Sequence, residues 1–148
     1  MRNIFNISIK CIEGRFFAEE FRFVLQMPVE STLEDLASCI LGMVDFDGDH
    51  ASEFYLANAR RGKKTWFTTD GEWDEDDSWM WRRRLSDIFP LPKHKKLFYI
   101  YDFGDSWLFE ITKKGRQIPA LPEIEYPRIV EKIGTKPEQY GGQPDEDD

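Results

Sequence analysis

Phe5, Ile7, Ile9 and Cys11 alternate with Asn6, Ser8 and Lys10, the two-residue period of a strand with one buried face. Glu13-Gly14-Arg15 has turn chemistry, and the apolar pattern resumes from Phe17 to Gln26, so the two runs are predicted to form a hairpin. Pro28 closes it, because proline has no N–H to give to a ladder. At Leu33 the period changes. Leu33, Leu36, Ala37, Ile40, Leu41 and Val44 recur at helical spacing, with Ser31 or Thr32 as N-cap and Glu34 or Asp35 in the first turn, which predicts a helix over 33–44. Asp45 to His50 reads as the turn that ends it, with Gly48 near the helix end.

Short strands are predicted at 53–58 and 65–68, flanking the basic turn Arg60 to Lys64, and a single helical turn at 85–89, ended by Pro90 and Pro92. A second hairpin joins 97–101 to 107–111. Further on, Pro119, Pro122, Pro127 and Pro137 exclude a long helix or a central strand, leaving one edge strand at 128–132 in a segment that wraps the rest. Strands, a helix and then more hairpins, without a repeating strand–helix alternation, predict an α+β fold: a largely antiparallel sheet packed against one main helix, about residues 33–44, plus short helical turns. Residues 1–140 are expected to form a single domain, and the acidic tail 141–148 to be disordered.

Composition agrees with a packed core: 148 residues with 41% hydrophobic content lie far from the disordered class. No apolar run approaches the roughly 20 residues of a membrane span, and the N-terminus alternates instead of carrying a hydrophobic signal core, so a cytoplasmic protein without a membrane partner is expected. Cys11 and Cys39 have no paired metal or redox spacing and are read as free, buried thiols.

The net charge of −8 is concentrated: Asp70 to Asp77 carries six carboxylates and Asp145 to Asp148 four, so the remainder is slightly basic. The 70–77 run is too acidic to pack and is read as an exposed loop. Cations cluster at Arg60 to Lys64, Arg82 to Arg84, Lys93 to Lys96 and Lys113 to Arg116. Such blocks are ordinarily solvated; if they converge, they form a patch for phosphate or an acidic partner. Four of the five tryptophans, Trp66, Trp73, Trp79 and Trp81, border or interleave the acidic run. With Arg82, Arg83 and Arg84 they are the candidate partner surface, because tryptophan and arginine are enriched at interface hot spots.

Asp102-Phe103-Gly104 spells the magnesium-binding tripeptide of protein kinases, but the glycine-rich loop, strand lysine and catalytic loop of that fold are missing. Hairpin geometry accounts for it: Gly104 can take positive φ, and the flanking aspartates can accept from local amides. The alternative is a hard divalent ion held by Asp102, Asp105, Asp49 and His50. Asp45 to Asp49 fails as an EF-hand, since the sixth and twelfth positions are His50 and Leu56. With two histidines, His50 and His94, no triad can be argued from spacing, and no catalytic residue is assigned.

Tyr101-Asp102-Phe103-Gly104-Asp105-Ser106-Trp107 resembles the signature of the plasmid pRiA4b ORF-3-like family, some members of which are passenger proteins of bacterial transposons. Leu33-Glu34-Asp35-Leu36 followed by Phe46, His50 and Phe54 resembles its leucine-rich helix and downstream His and Phe; Tyr126-Pro127-Arg128, Lys136-Pro137-Glu138 and Gly141-Gly142 resemble its C-terminal region. Phe109 stands where the family commonly has histidine, and Gln139-Tyr140 where it has Asp-Cys. The resemblance implies a compact α+β fold and an association with mobile elements. The expected function is therefore a non-enzymatic domain that binds another macromolecule, foremost a protein, with nucleic acid through the basic clusters as a second partner class. The rival is a divalent-metal-dependent enzyme acting on phosphate or nucleic-acid substrates. No cofactor is expected, a divalent metal being the open alternative.

Overall fold

A computed structural model describes residues 2–48, 50–67 and 83–139. Among these residues seven strands form one sheet: β1 Asn3–Glu13, β2 Phe21–Pro28, β3 Ser52–Ala57, β4 Thr65–Phe67, β5 Lys96–Tyr101, β6 Trp107–Pro119 and β7 Arg128–Ile133. Their order is β4-β3-β5-β6-β1-β2-β7, and every neighbouring pair is antiparallel. The alternation in β1 sets the main core. Phe5, Ile7, Ile9 and Cys11 are buried on one face, where β2 places Phe23 and Leu25 and β5 places Leu97, Tyr99 and Tyr101. The opposite face carries a smaller apolar cluster, Tyr55, Ala57, Phe98 and Leu108.

Helix α1, Leu33–Val44, begins at the predicted cap. Thr32 Oγ1 accepts from the Asp35 amide at 3.2 Å and Asp35 Oδ2 from the Thr32 amide at 3.0 Å, a capping box that satisfies two helix-end donors and contributes about 1 kcal/mol. Leu33, Leu36, Ala37, Ile40 and Val44 form its buried stripe. The helix ends one turn before the predicted glycine: Asp45 itself takes the left-handed conformation, φ 60°, which aspartate tolerates better than most side chains. A second helix, α2, is the single turn Leu85–Ile88.

The expected α+β layer of sheet against one main helix is corrected by this architecture. Strands make up about 45% and helices about 13% of the described residues, and the protein is mostly antiparallel sheet. The physical reason is width. Seven strands at about 4.8 Å spacing span roughly 29 Å, far more than one helix about 10 Å across can cover. The face is closed piecemeal, by α1 together with Phe46, Leu85, Ile88 and Phe89 from short segments and connections.

The prolines fall where strands can bear them. Pro119 is the last residue of β6, opposite Asn3, so β6 runs eight residues past the predicted end at 111. β7 is the predicted edge strand, pairing with β2 alone, and all six of its residues are exposed. Cys11 is fully buried as expected, whereas Cys39 is only half-buried. The 70–77 run and the 141–148 tail lie outside the described residues. Among the described residues no helix is long and apolar enough to cross a membrane.

Candidate functional site

β5 and β6 form the predicted hairpin, with Tyr99 opposite Phe109 and Tyr101 opposite Trp107. Its turn is built by Asp102, but not through Gly104. Asp102 and Ser106 take the left-handed conformation, φ 64° and 55°, and Gly104 is not among the positive-φ residues. Aspartate can do this because its short side chain bonds locally. Asp102 Oδ1 accepts from the amides of Gly104 at 3.1 Å and Asp105 at 3.3 Å, while the Asp102 carbonyl accepts from the Ser106 amide at 2.6 Å. Asp105 serves a different purpose. Its carbonyl accepts from the Arg15 amide at 2.8 Å and its carboxylate lies 3.6 Å from the Arg15 guanidinium, tying the β5–β6 turn to the β1–β2 connection.

Beside this turn lies a polar clasp that sequence patterning does not reveal. Asp47 Oδ1 accepts from the Tyr101 hydroxyl at 2.8 Å and from Gln139 Nε2 at 3.1 Å, and the Asp47 amide donates to Gln139 Oε1 at 2.8 Å. Gln139, 92 residues away in sequence, is thereby held in a buried position. Burial and the Asp47 carboxylate both push the Tyr101 pKa up, so the hydroxyl remains a donor. The clasp is reinforced on its approach: Lys136 pairs with Asp45, and the Thr135 amide donates to Glu19 at 3.0 Å. Glutamine in a proline-rich stretch has no periodicity to mark it; only the fold pairs it with Asp47.

Phe46 joins the clasp to the core, its ring 5.0 Å from Trp107 and 5.8 Å from Tyr101. Trp107 is fully buried, with its indole N–H unpartnered in the described structure. Its ring face lies against Gly14, where a β-carbon would sit 2.2 Å from Cε3. Nothing but glycine fits there, although sequence reading found in Gly14 only a turn residue.

Of the four candidate ion ligands, His50 and Asp102 come together: His50 Nδ1 lies 3.7 Å from Asp102 Oδ2, an ion pair only when the imidazole is protonated. The His50 ring meets Tyr101 edge-on at 5.8 Å. Asp105 is engaged with Arg15, and Asp49 lies outside the described residues. Among the described residues, no group of three or more His, Cys, Asp or Glu side chains is arranged to hold a metal ion.

Of the candidate partner surface, Trp66 is 44% exposed on β4, its ring 4.9 Å from Tyr55. The Arg83 guanidinium lies over Phe67 at 5.5 Å, and the Arg83 carbonyl accepts from Leu33. Arg84 bridges to Thr32 and caps α2. Trp73, Trp79, Trp81 and Arg82 lie outside the described residues. The basic turn is partly neutralised, since Arg60 and Arg61 lie 3.5 and 3.2 Å from Glu13.

These features define a class: a mostly antiparallel sheet protein in which an aspartate-bracketed hairpin is fastened to a C-terminal strap. The model of the plasmid pRiA4b ORF-3-like proteins matches residues 20–146, and the chain belongs to that family. A solved structure, a protein of unknown function from Methanosarcina mazei Go1, is similar with a TM-score of 0.67 at 22% sequence identity, over 89% of this chain and 70% of that one. At that identity the likeness is one of fold. No curated protein matches the chain.

Proposed function

We propose that the protein is a non-enzymatic macromolecule-binding domain that engages a protein partner at the β4 end of its sheet. The observation that carries this reading is Trp66, a large aromatic side chain left 44% exposed on an edge strand while Tyr55 holds its ring. An aromatic already restrained by its neighbour loses little conformational freedom when a partner covers it, which is the property of an interface anchor. Lys64 lies over the other interacting ring, Tyr55, at 5.2 Å and supplies a cationic rim. Phe67 and Arg83 lie side by side at this edge, the guanidinium 5.5 Å from the ring, which adds a second aromatic–cation pair to the surface. An association with mobile elements is what family membership suggests for the setting of such binding.

The test is affinity capture from native lysate with the wild-type protein and with Trp66→Ala, followed by calorimetric titration of the captured protein after purification. Removing the anchor is expected to weaken binding roughly tenfold or more, as hot-spot truncations do. Equal affinity for both proteins would reject the β4 surface.

A further inference from the structure

We propose that the groove between the 89–96 connection and β6 is a docking site for an acidic peptide segment with one apolar anchor residue. It does not depend on the β4 surface. The groove encloses about 200 Å³; Phe89, Leu91 and Ile111 form its apolar part, and Lys95, Lys96 and Lys113 its cationic part. Two of the four basic clusters in the sequence therefore converge here, and among the described residues no carboxylate lines the groove.

Two of the three groove lysines combine partial burial with the lack of a carboxylate partner among the described residues. Lys95 is half-buried and has no carboxylate partner among the described residues. Lys113, also half-buried, donates to the Gly115 carbonyl at 2.5 Å and lies over the Phe5 ring at 5.9 Å, contacts that leave its charge uncompensated. Only Lys96 meets an acid, Glu110 at 3.5 Å. A partly desolvated ammonium beside apolar surface favours an incoming carboxylate more than a hydrated one does.

A larger cavity of about 540 Å³ has the opposite character. Each charged residue on its walls already has a partner: Glu20 pairs with Lys10 at 3.7 Å, Arg60 with Glu13 at 3.5 Å and Lys96 with Glu110 at 3.5 Å. The smaller groove lies below the roughly 300–1,000 Å³ of sites that enclose a whole small molecule, and suits a single inserted side chain. One feature weighs against nucleic acid: Phe89 is only 6% exposed and gives a base no platform for stacking.

Fluorescence anisotropy of a labelled Glu-Glu-Leu-Glu-Glu peptide at low salt tests the proposal, with Gln-Gln-Leu-Gln-Gln, Glu-Glu-Gly-Glu-Glu and a short single-stranded oligothymidylate as comparisons. The acidic leucine peptide is expected to bind best and to weaken as salt rises. Lys95→Gln combined with Lys113→Gln should lower its affinity about tenfold or more, and Leu91→Ser should erase the advantage of leucine over glycine. The single Lys95→Gln variant, at a surface position, serves if the double variant melts early. Three results would each overturn the proposal: equal binding by wild type and lysine variants, equal binding of the glutamine peptide, or tighter binding of the oligothymidylate.

Discussion

Replacing Gly14 by alanine adds one methyl group, and the surroundings of that methyl set the outcome. Its carbon would lie 2.2, 2.5 and 2.7 Å from three atoms of the Trp107 ring. All three separations are far inside the roughly 3.5–4.0 Å at which carbons attract. Trp107 cannot swing clear, because it is fully buried and Phe46 packs 5.0 Å from its ring. Overpacking of a closed core destabilises by about 1–3 kcal/mol and sometimes more; the rigid, buried ring places this change at the upper end, about 3 kcal/mol. Gly42 supplies the matched control. It is exposed within α1 with nothing within 4 Å of an added β-carbon, so Gly42→Ala removes backbone entropy from the unfolded chain and should stabilise by about 0.5–1 kcal/mol. At about 2–4 °C per kcal/mol for a chain of this size, calorimetry should find Gly14→Ala melting about 6–12 °C below wild type and Gly42→Ala a few degrees above it. If Gly14→Ala melted with wild type, the close approach of Trp107 to the β1–β2 connection would be wrong, and with it the placing of the signature tryptophan.

Asp102→Asn should lower stability by less than about 1 kcal/mol, since the amide oxygen still accepts from Gly104 and asparagine tolerates positive φ; Asp102→Ala loses both and should cost about 2 kcal/mol by urea titration. Magnesium, manganese or zinc should leave the wild-type melting temperature unchanged, and a rise abolished by Asp102→Asn would restore the ion-binding reading. Alkaline pH should destabilise the fold. Burial pushes the Cys11 thiol up to about 12 from 9.0, so the unfolded chain ionises first: stability is full below about pH 9 and falls as pH climbs toward 12, by up to about 1.4 kcal/mol per pH unit. Tyr99, pushed up to about 12 by burial, adds its share above pH 10. Denaturant midpoints for Cys11→Ala should decline less steeply through this window; an identical slope would show that the thiol does not take part.

The strand alternation of β1, the capped amphipathic helix and the β5–β6 hairpin were all legible in the sequence, because each is decided by neighbours within one or two turns of chain. Thr32 and Asp35 are three residues apart, and the Tyr101–Trp107 pairing spans a single turn. The family signature was legible for the same reason: it is one contiguous stretch. The β6 extension to Pro119 was not, since strand length there is set by the partner β1 and not by the exposed residues Lys114 to Ile118 themselves. Nor was the turn's φ pattern, in which Asp102 and Ser106 take the positions a lone glycine suggested.

What only the tertiary structure decided is which distant groups meet. Sheet order places β1 between β2 and β6, and this sends Gly14 against Trp107 and Arg15 to Asp105. The strap brings Gln139 back over 92 residues to Asp47, and the same folding gathers Lys95 and Lys113 into one groove. The balance of helix and sheet was settled there too, because the number of strands joining one sheet follows from their pairing across the chain. Short-range patterns specify the elements through local sterics and hydrogen bonds; long-range pairing is specified by the combined fit of all of them, and no single window of sequence contains it.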